Sequence, residues 1–289
     1  MKFRNLSGGK MNLKTVPVRF RNILAYCSLF VALVYFAGCA SGKVKKLEDF
    51  SASKDYRKVL DSGIDCNAVT PECFRIKLIR AESYYHLGHR AEALTNLKEA
   101  IARISPDVNV SEAFRAYVMR VSIVFEELNT IDDFEKKRTI VNKLVPEVEA
   151  VIEKSKRLPE ETERLKNQRR LTELLAESVL LKMDLTEADS LAPVSGEIDS
   201  VCTALRKLLP DEGYDFYYRL AADYKLVLPG VKQFFLTGIG DREKLMLRLK
   251  ELYQQGVQLR NLPVYNQGYD GEIEDFLQQT DYYMKQLAF

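Results

Sequence analysis

Apolar side chains recur at helical spacing along almost the whole chain. Between Phe74 and Pro106 they fall three or four residues apart on two successive segments separated by Leu87, Gly88 and His89, as on the buried face of an amphipathic helix. No segment alternates apolar and polar residues for long enough to predict a strand. The pattern therefore predicts an all-α protein whose helices are joined by short turns.

The segment from Phe74 to Pro106 is the most regular unit. Its apolar positions are Leu78, Ala81, Tyr84 and Tyr85 on the first helix and Ala93, Leu94, Leu97, Ala100 and Ile101 on the second. Gly88 permits the turn between them, and Pro106 closes the unit. These positions resemble the tetratricopeptide (TPR) repeat, a helix–turn–helix of about 34 residues, although Lys77 stands where the motif often has Trp. The resemblance implies an α-α right-handed superhelix with an extended binding surface.

Neighbouring segments extend the repeat in both directions. Residues 54–63 resemble the second helix of a preceding unit, whose first helix would lie near 43–50. Downstream, Ser111 is predicted to cap a further helix, and its partner runs from Asp132 to Lys156 with a possible kink at Pro146. Residues 47–158 are therefore predicted to form TPR-like repeats.

Beyond Pro159 the repeat signal fades while helical periodicity continues. Helices are predicted over 158–185, 195–209, 214–228, 241–259 and 269–287. Pro229 and Gly230 are expected to end the third of these, and Asp241 to cap the fourth. Residues 159–289 are therefore interpreted as a divergent helical repeat region, and the pattern leaves open whether it is a separate domain.

An apolar, uncharged stretch near the N-terminus predicts export. It covers residues 22–36, which suits a signal peptide and is shorter than the roughly 20 residues of a membrane-spanning helix. Three basic residues precede it: Lys14, Arg19 and Arg21. An uncleaved anchor, or cleavage by an ordinary signal peptidase, is the alternative interpretation of this stretch.

The sequence Phe36-Ala37-Gly38-Cys39 resembles the lipobox of bacterial lipoproteins, with Phe36 where such boxes usually carry Leu, Val or Ile. The resemblance implies a signal peptide at 1–38, with Met1 or Met11 as the start, and a lipid such as palmitate on Cys39. Residues 39–46 would then form a lipidated tether. The absence of Asp after Cys39 implies the outer membrane, with the protein facing the periplasm.

Removal of residues 1–38 would change the net charge. This segment holds six of the 43 basic residues and no acidic residue, so the formal charge falls from +2 to −4. A mildly acidic protein without a basic cluster is poorly suited to phosphate backbones. Nucleic acid is therefore not an expected partner.

Three cysteines lie beyond the export segment. Cys66 and Cys73 flank a turn at 67–71, and the oxidising periplasm favours a disulfide between them. Cys202 lies on an apolar helical face and is expected to be buried. No metal site is predicted, because no CxxC motif occurs and His86 and His89 have no third ligand nearby.

Aromatic residues supply the candidate binding surface. They are Tyr84, Tyr214, Tyr217, Tyr218, Tyr224, Phe234 and Phe235, with a second group at Tyr265, Tyr269, Tyr282 and Tyr283. Packing between helices is the alternative role for the same rings. The segment 238–242 loosely resembles a phosphate-binding loop, but it lacks the full glycine spacing and no strand precedes it, so it is interpreted as a helix-capping turn.

The sequence carries no pattern typical of catalysis. It has no serine elbow, HExxH motif, Cys–His pairing or spaced catalytic carboxylates, so neither enzyme activity nor a cofactor is expected. The TPR resemblance implies an envelope-anchored scaffold that binds a protein partner in outer-membrane assembly, secretion or export. One alternative is a TRAP-type transport component that docks a solute-binding protein and encloses a path for a small apolar ligand. A second alternative is an enzyme-modulating lipoprotein.

Overall fold

A computed structural model describes residues 42–159, 161–210, 212–263 and 270–289. Within these ranges the chain is helical and contains no strand, which confirms the all-α class. None of the helices in these ranges is long and apolar enough to cross a bilayer. The predicted signal peptide, the predicted lipid site at Cys39 and the second-group residues Tyr265 and Tyr269 lie outside the described residues.

The helices are numbered in chain order. They are α1 over 42–52, α2 Tyr56–Asp61, α3 Pro71–His86, α4 Arg90–Ile101, α5 Val110–Leu128, α6 Phe134–Ser155, α7 Glu161–Asp184, α8 Leu191–Leu208, α9 Tyr214–Thr237, α10 Arg242–Arg260 and α11 Asp270–Ala288. A 3₁₀ turn, Ala188–Ser190, precedes α8. Helices that follow one another in the chain pack as pairs, notably α3 with α4, α6 with α7, α8 with α9 and α10 with α11.

The α3–α4 pair forms where the periodicity predicts it. The Thr70 hydroxyl caps α3 by accepting a hydrogen bond from the Cys73 amide at 3.3 Å, and Pro71 occupies the first turn, where its missing amide is not needed. Gly88 adopts φ +83° between the two helices, a left-handed conformation that favours glycine. The predicted turn is thus confirmed.

The cap of α5 differs from the prediction. The Asn109 side chain accepts hydrogen bonds from the amides of Ser111 at 2.9 Å and Glu112 at 3.3 Å. Ser111 therefore lies inside the first turn, and its predicted capping role is wrong. An N-cap oxygen reaches amides two or three residues further on, and Asn109 has that position.

The predicted end of α9 at Pro229 is also wrong, because the helix continues to Thr237. Proline removes one backbone hydrogen bond. The following turn is nevertheless stabilised because the side chain of Val231 is fully buried in the core. A Cβ at Gly230 would lie 3.3 Å from Leu245 Cδ2 of α10, so the glycine permits close packing there. Burial of this last part of α9 outweighs the local cost of the proline.

Three clusters of buried apolar residues succeed one another along the chain. The first joins α1, α2 and α3 through Val44, Leu47, Val59 and Ile76, and the second joins α3, α4 and α5 around Leu97. The third and largest extends from Phe114 to Leu287 and continues across residue 158 without a break. Helix α5 contributes to both the second and the third cluster, so it links the regular first part of the chain to the divergent second part.

Candidate ligand-binding site

A cavity of about 660 Å³ lies between α7, α9 and α11, with one side chain from α5. We call it the α7–α9–α11 cavity. Its lining residues are Phe125, Glu177, Leu180, Leu181, Asp184, Tyr217, Tyr218, Leu220, Ala221, Tyr224, Lys225, Leu228, Glu272, Ile273, Asp275, Phe276 and Gln279. Its size and mixed aromatic and polar lining are those of a small-molecule site.

Helical spacing brings these residues to one place. Positions 177, 180, 181 and 184 form one stripe on α7, and positions 217, 220, 221, 224 and 228 form one on α9. Positions 272, 273, 276 and 279 form the stripe on α11. Residues three or four apart share a helix face, so each helix presents a single continuous wall.

Aromatic rings shape two of these walls. Tyr217 and Tyr218 meet at 5.1 Å between ring centroids, and Tyr224 meets Phe276 at 4.9 Å, both in edge-to-face geometry. The Tyr224 hydroxyl donates to Gln279 Oε1 at 3.2 Å. Burial raises the pKa of both Tyr217 and Tyr224 to about 12, so their hydroxyls remain protonated near neutral pH and can donate hydrogen bonds.

The polar side of the cavity is mainly anionic. Glu177 is half-buried and accepts a hydrogen bond from the Tyr218 hydroxyl at 3.2 Å. Burial raises the pKa of Glu177, against the opposing effects of Arg170 and of this hydrogen bond. Burial is the main cause of the raised pKa of Tyr217, and the negative charges of Glu272 and Glu177 add to it. These two carboxylates therefore approach the same tyrosine from different helices.

Only part of the predicted aromatic surface meets in this cavity. Tyr217, Tyr218 and Tyr224 line it. Tyr214 instead is buried beneath the Arg169 guanidinium, which lies 4.6 Å from its ring centroid and also donates to its hydroxyl. Tyr214 thus joins α9 to α7.

The remaining predicted aromatics lie elsewhere. Tyr84 packs in the second core cluster, with the Arg80 guanidinium 5.9 Å from its ring centroid. Phe234 and Phe235 lie in the last turns of α9, where Phe235 is 42% exposed and stacks on Tyr283 at 6.1 Å. The predicted surface is therefore divided among four separate places.

Several lining residues were not found from the sequence. Phe125, Glu177, Glu272 and Phe276 belong to amphipathic stretches whose chemistry is unremarkable in isolation. Their helical spacing shows which residues share a face, but not which helix they oppose. The pairing of α7, α9 and α11 supplies that information.

A second groove, of about 1070 Å³, lies between α6, α7 and α8. Its lining includes Glu149, Glu153, Lys156, Glu197, Asp199 and Lys207, with small side chains such as Gly196 and Ala204, and none of its described lining residues is aromatic. Apolar side chains such as Leu175, Val179 and Leu208 also line it. This larger groove suits an extended partner better than a small ligand. We call it the α6–α8 groove.

Of the three cysteines in the described residues, two form a disulfide and one is free. Cys66 and Cys73 are paired as a disulfide with their Cα atoms 5.2 Å apart, within the usual range for such a bridge. Cys202 is buried as predicted, and burial raises the pKa of its thiol to about 12. A thiol with so high a pKa is a poor nucleophile at neutral pH.

Next to the disulfide lies a buried cation. Lys77 is only 4% exposed, and its ammonium pairs with Asp65 at 2.7 Å and Glu99 at 2.6 Å. Partial burial alone would raise the pKa of Asp65. The hydrogen bonds from Lys77 and from the Cys66 amide outweigh this effect, so the pKa of Asp65 is lowered overall. Lys77 therefore links α3 to α4 and to the loop carrying Cys66.

The other sequence candidates have local structural roles. The His86 ring stacks on Tyr56 with 4.3 Å between centroids, and no group of His, Cys, Asp and Glu able to hold a metal ion occurs in the described part of the chain. The Asp241 side chain accepts a hydrogen bond from the Lys244 amide at 2.9 Å. This contact confirms that Asp241 caps the following helix.

The chain matches no protein-family model, and no curated protein is significantly similar to it.

Proposed function

We propose that this protein is an envelope lipoprotein that acts as a scaffold and binds a protein partner through its helical array. The observation that carries the proposal is the α6–α8 groove, which opens along successive packed helices. Arrays of this kind provide extended surfaces because each helical pair adds to the area available for a partner. The groove combines charged residues of both signs with apolar side chains, which fits an amphipathic peptide segment.

Attachment to the envelope rests on the lipobox resemblance at Cys39. We propose a lipid on this residue and location at the outer membrane facing the periplasm. Cys39→Ser should abolish palmitate incorporation and release the protein from the membrane fraction. Cys27→Ser, in the same export segment, is the matched control and should leave both unchanged. Labelling and membrane pelleting of the Cys39 variant would contradict the proposed anchor.

The role of the groove is tested by blocking it. A Cβ at Gly196 would meet no atom within 4 Å, so Gly196→Tyr should fill the groove without distorting α8. We expect this variant to lose a stoichiometric partner that the wild type captures from its native envelope. Gly196→Ala tests the backbone change alone, and Gly271→Tyr adds the same ring at an equally open site on α11. Equal capture by all four proteins would contradict docking in this groove.

The α7–α9–α11 cavity favours a second candidate function, a ligand-binding component of a TRAP-type transport system. Its aromatic walls and its volume are suited to a small molecule, and a purely structural scaffold does not require such a cavity. Native mass spectrometry of the purified protein should then show a bound small molecule at one equivalent. A stoichiometric protein partner without such a molecule would favour the scaffold alone.

A further inference from the structure

We propose that the α7–α9–α11 cavity binds a small organic ammonium ion with an apolar body. This inference deepens the second candidate function and rests on the cavity being a ligand site. It specifies the charge of the ligand, which the aromatic residues alone leave open.

The charged groups that line the cavity are predominantly acidic. Four carboxylates line the cavity, namely Glu177, Asp184, Glu272 and Asp275, against the single ammonium group of Lys225. Lys225 forms an ion pair with Asp184, so that these two charges balance each other. The remaining excess is negative, and an anionic ligand would be repelled.

The three remaining carboxylates are not neutralised by a salt bridge within the described residues. Within the described ranges Glu177, Glu272 and Asp275 form no ion pair, although Glu177 lies within the electrostatic influence of Arg170. Elsewhere on the same helices, acidic residues are neutralised directly: Glu173 pairs with Arg169 at 2.9 Å and Asp215 with Arg206 at 2.6 Å. The cavity thus keeps anionic groups available where the nearby core neutralises them.

Aromatic rings lie beside these carboxylates in the cavity. Tyr217 lies close to both Glu177 and Glu272, and Phe276 and Tyr224 form the adjoining wall. Aromatic faces attract cations, and aliphatic residues such as Leu180 and Leu228 can cover an apolar body. Glu177 is oriented by the Tyr218 hydroxyl, so one acceptor is already fixed before the ligand arrives.

The combination selects one class of ligand. A neutral apolar molecule would leave the half-buried Glu177 desolvated with only a partial partner, which is unfavourable. An ammonium ion supplies both the compensating charge and the hydrogen-bond donor. A volume of about 660 Å³ accommodates an amine with an aromatic or branched hydrocarbon group.

The test compares three molecules of similar shape and different charge. Isothermal titration of the purified full chain with phenylbutylammonium, phenylbutanol and phenylbutyrate should show the ammonium ion binding at least about tenfold more tightly than the alcohol. The carboxylate should bind most weakly. Equal affinity for the ammonium ion and the alcohol, or preference for the carboxylate, would overturn the proposal.

Charge-removing variants locate the site. Glu177→Gln should weaken phenylbutylammonium binding about tenfold, whereas the more exposed Glu272→Gln and Asp275→Asn should each have a smaller effect. Glu92→Gln, on the exposed face of α4, is the matched control and should bind like the wild type. Thermal unfolding of each variant establishes that it is folded. A variant that combines Glu177→Gln, Glu272→Gln and Asp275→Asn removes all three charges. Unchanged phenylbutylammonium binding in this triple variant, once it is shown to be folded, would overturn the assignment to this cavity.

A further arm separates the ligand from a protein partner. A lysine-containing peptide that binds at the cavity when phenylbutylammonium does not would overturn the small-molecule assignment. If phenylbutylammonium does not bind, the proposed charge of the ligand is wrong, but the proposed transport role is not thereby decided. That role is judged separately by whether native mass spectrometry detects any bound small molecule.

Discussion

The α3–α4 pair and the α7–α9–α11 region bury their apolar residues in different ways. In the first, Ala81, Ala93 and Ala100 are fully buried, and Leu97 fills the space between the helices. In the second, the rings of Tyr217 and Phe276 are half-buried around an open cavity. Small residues at a helix crossing allow close packing, whereas large rings on three converging helices leave space that a ligand can fill.

Charged groups differ between the two regions in the same way. Lys77 is buried between α3 and α4 but contacts two carboxylates at hydrogen-bond distance. In the cavity, Glu177 has a hydroxyl donor and only a distant cation. A closed core must satisfy its charges internally, while a binding site can leave part of that task to a ligand. The two regions therefore differ in how fully their buried charged groups are paired within the protein.

The largest expected effect tests this separation with the same substitution in both regions. Leu97→Ala, at a fully buried position, should lower the free energy of unfolding by about 3 kcal/mol, because it leaves a void in a close-packed core. Leu228→Ala, at the half-exposed cavity wall, should cost about 1 kcal/mol or less. Urea unfolding measures both. Equal losses would show that the two regions are packed alike.

Removal of the disulfide should have the next largest effect. The bridge closes a loop of sequence separation seven, so Cys66→Ser with Cys73→Ser should lower the free energy of unfolding by about 2–3 kcal/mol. Dithiothreitol should destabilise the wild type by a similar amount and leave the double variant unchanged. A dithiothreitol effect that persists in the double variant would mean that another group is responsible.

Gly256 permits α10 and α11 to approach beside the cavity. A Cβ there would lie 2.7 Å from Phe276 Cε1 and 2.8 Å from Leu277 Cδ2, so Gly256→Ala must displace one or both side chains. We expect a loss of about 1–2 kcal/mol in thermal unfolding, together with weaker phenylbutylammonium binding as Phe276 moves. Gly196→Ala, where the space is open, should be neutral or stabilising by up to about 1 kcal/mol. Similar behaviour of the two variants would contradict the close approach.

The smallest effect concerns pH. Burial raises the pKa of Glu177 above the ordinary value of 4.5, so the folded state binds its proton more tightly than the unfolded state does. The contribution of this group to stability is therefore fully present below about pH 4.5 and is lost as pH rises through the raised folded-state pKa. Glu177→Gln should make the stability of the protein less dependent on pH in this window. Thermal unfolding measured from pH 4 to pH 8 checks the expectation, and a steeper dependence would contradict it.

Glu82 on α3 provides the comparison for this pH effect. Burial raises its pKa as well, but it pairs with Arg115 at 2.7 Å. Glu82→Gln removes that ion pair, so at neutral pH it should lower the stability of the protein. Glu177→Gln removes no ion pair and should not cause this loss of stability. The two variants thus distinguish a carboxylate held by the core from one left available in the cavity.

Sequence reasoning succeeded where the determining interactions are local. The turn at Gly88 and the cap at Asp241 depend on a few adjacent residues, and both were predicted correctly. Asn109 was also a local signal, but Ser111 offered a competing cap two residues later. Pro229 misled for another reason, because the continuation of α9 depends on the distant residue Leu245.

The candidate site was predicted only in part. Tyr217, Tyr218 and Tyr224 were identified because aromatic residues are dense on α9. Their acidic neighbours Glu177 and Glu272 lie 40 or more residues away along the chain, and nothing in their own surroundings distinguishes them from solvated helix residues. Tyr214, predicted with the others, is directed instead to Arg169.

The amino-acid sequence by itself determined the all-α class, the turns, most helix positions and the spacing of the cysteines, because each follows from helical periodicity and local backbone chemistry. Tertiary structure alone decided which faces meet. Packing places Lys77 between two carboxylates and stabilises α9 beyond Pro229. It also leaves a cavity where the faces of α7, α9 and α11 meet. Helical periodicity fixes the face on which a side chain lies, but packing between distant segments decides what that face contacts.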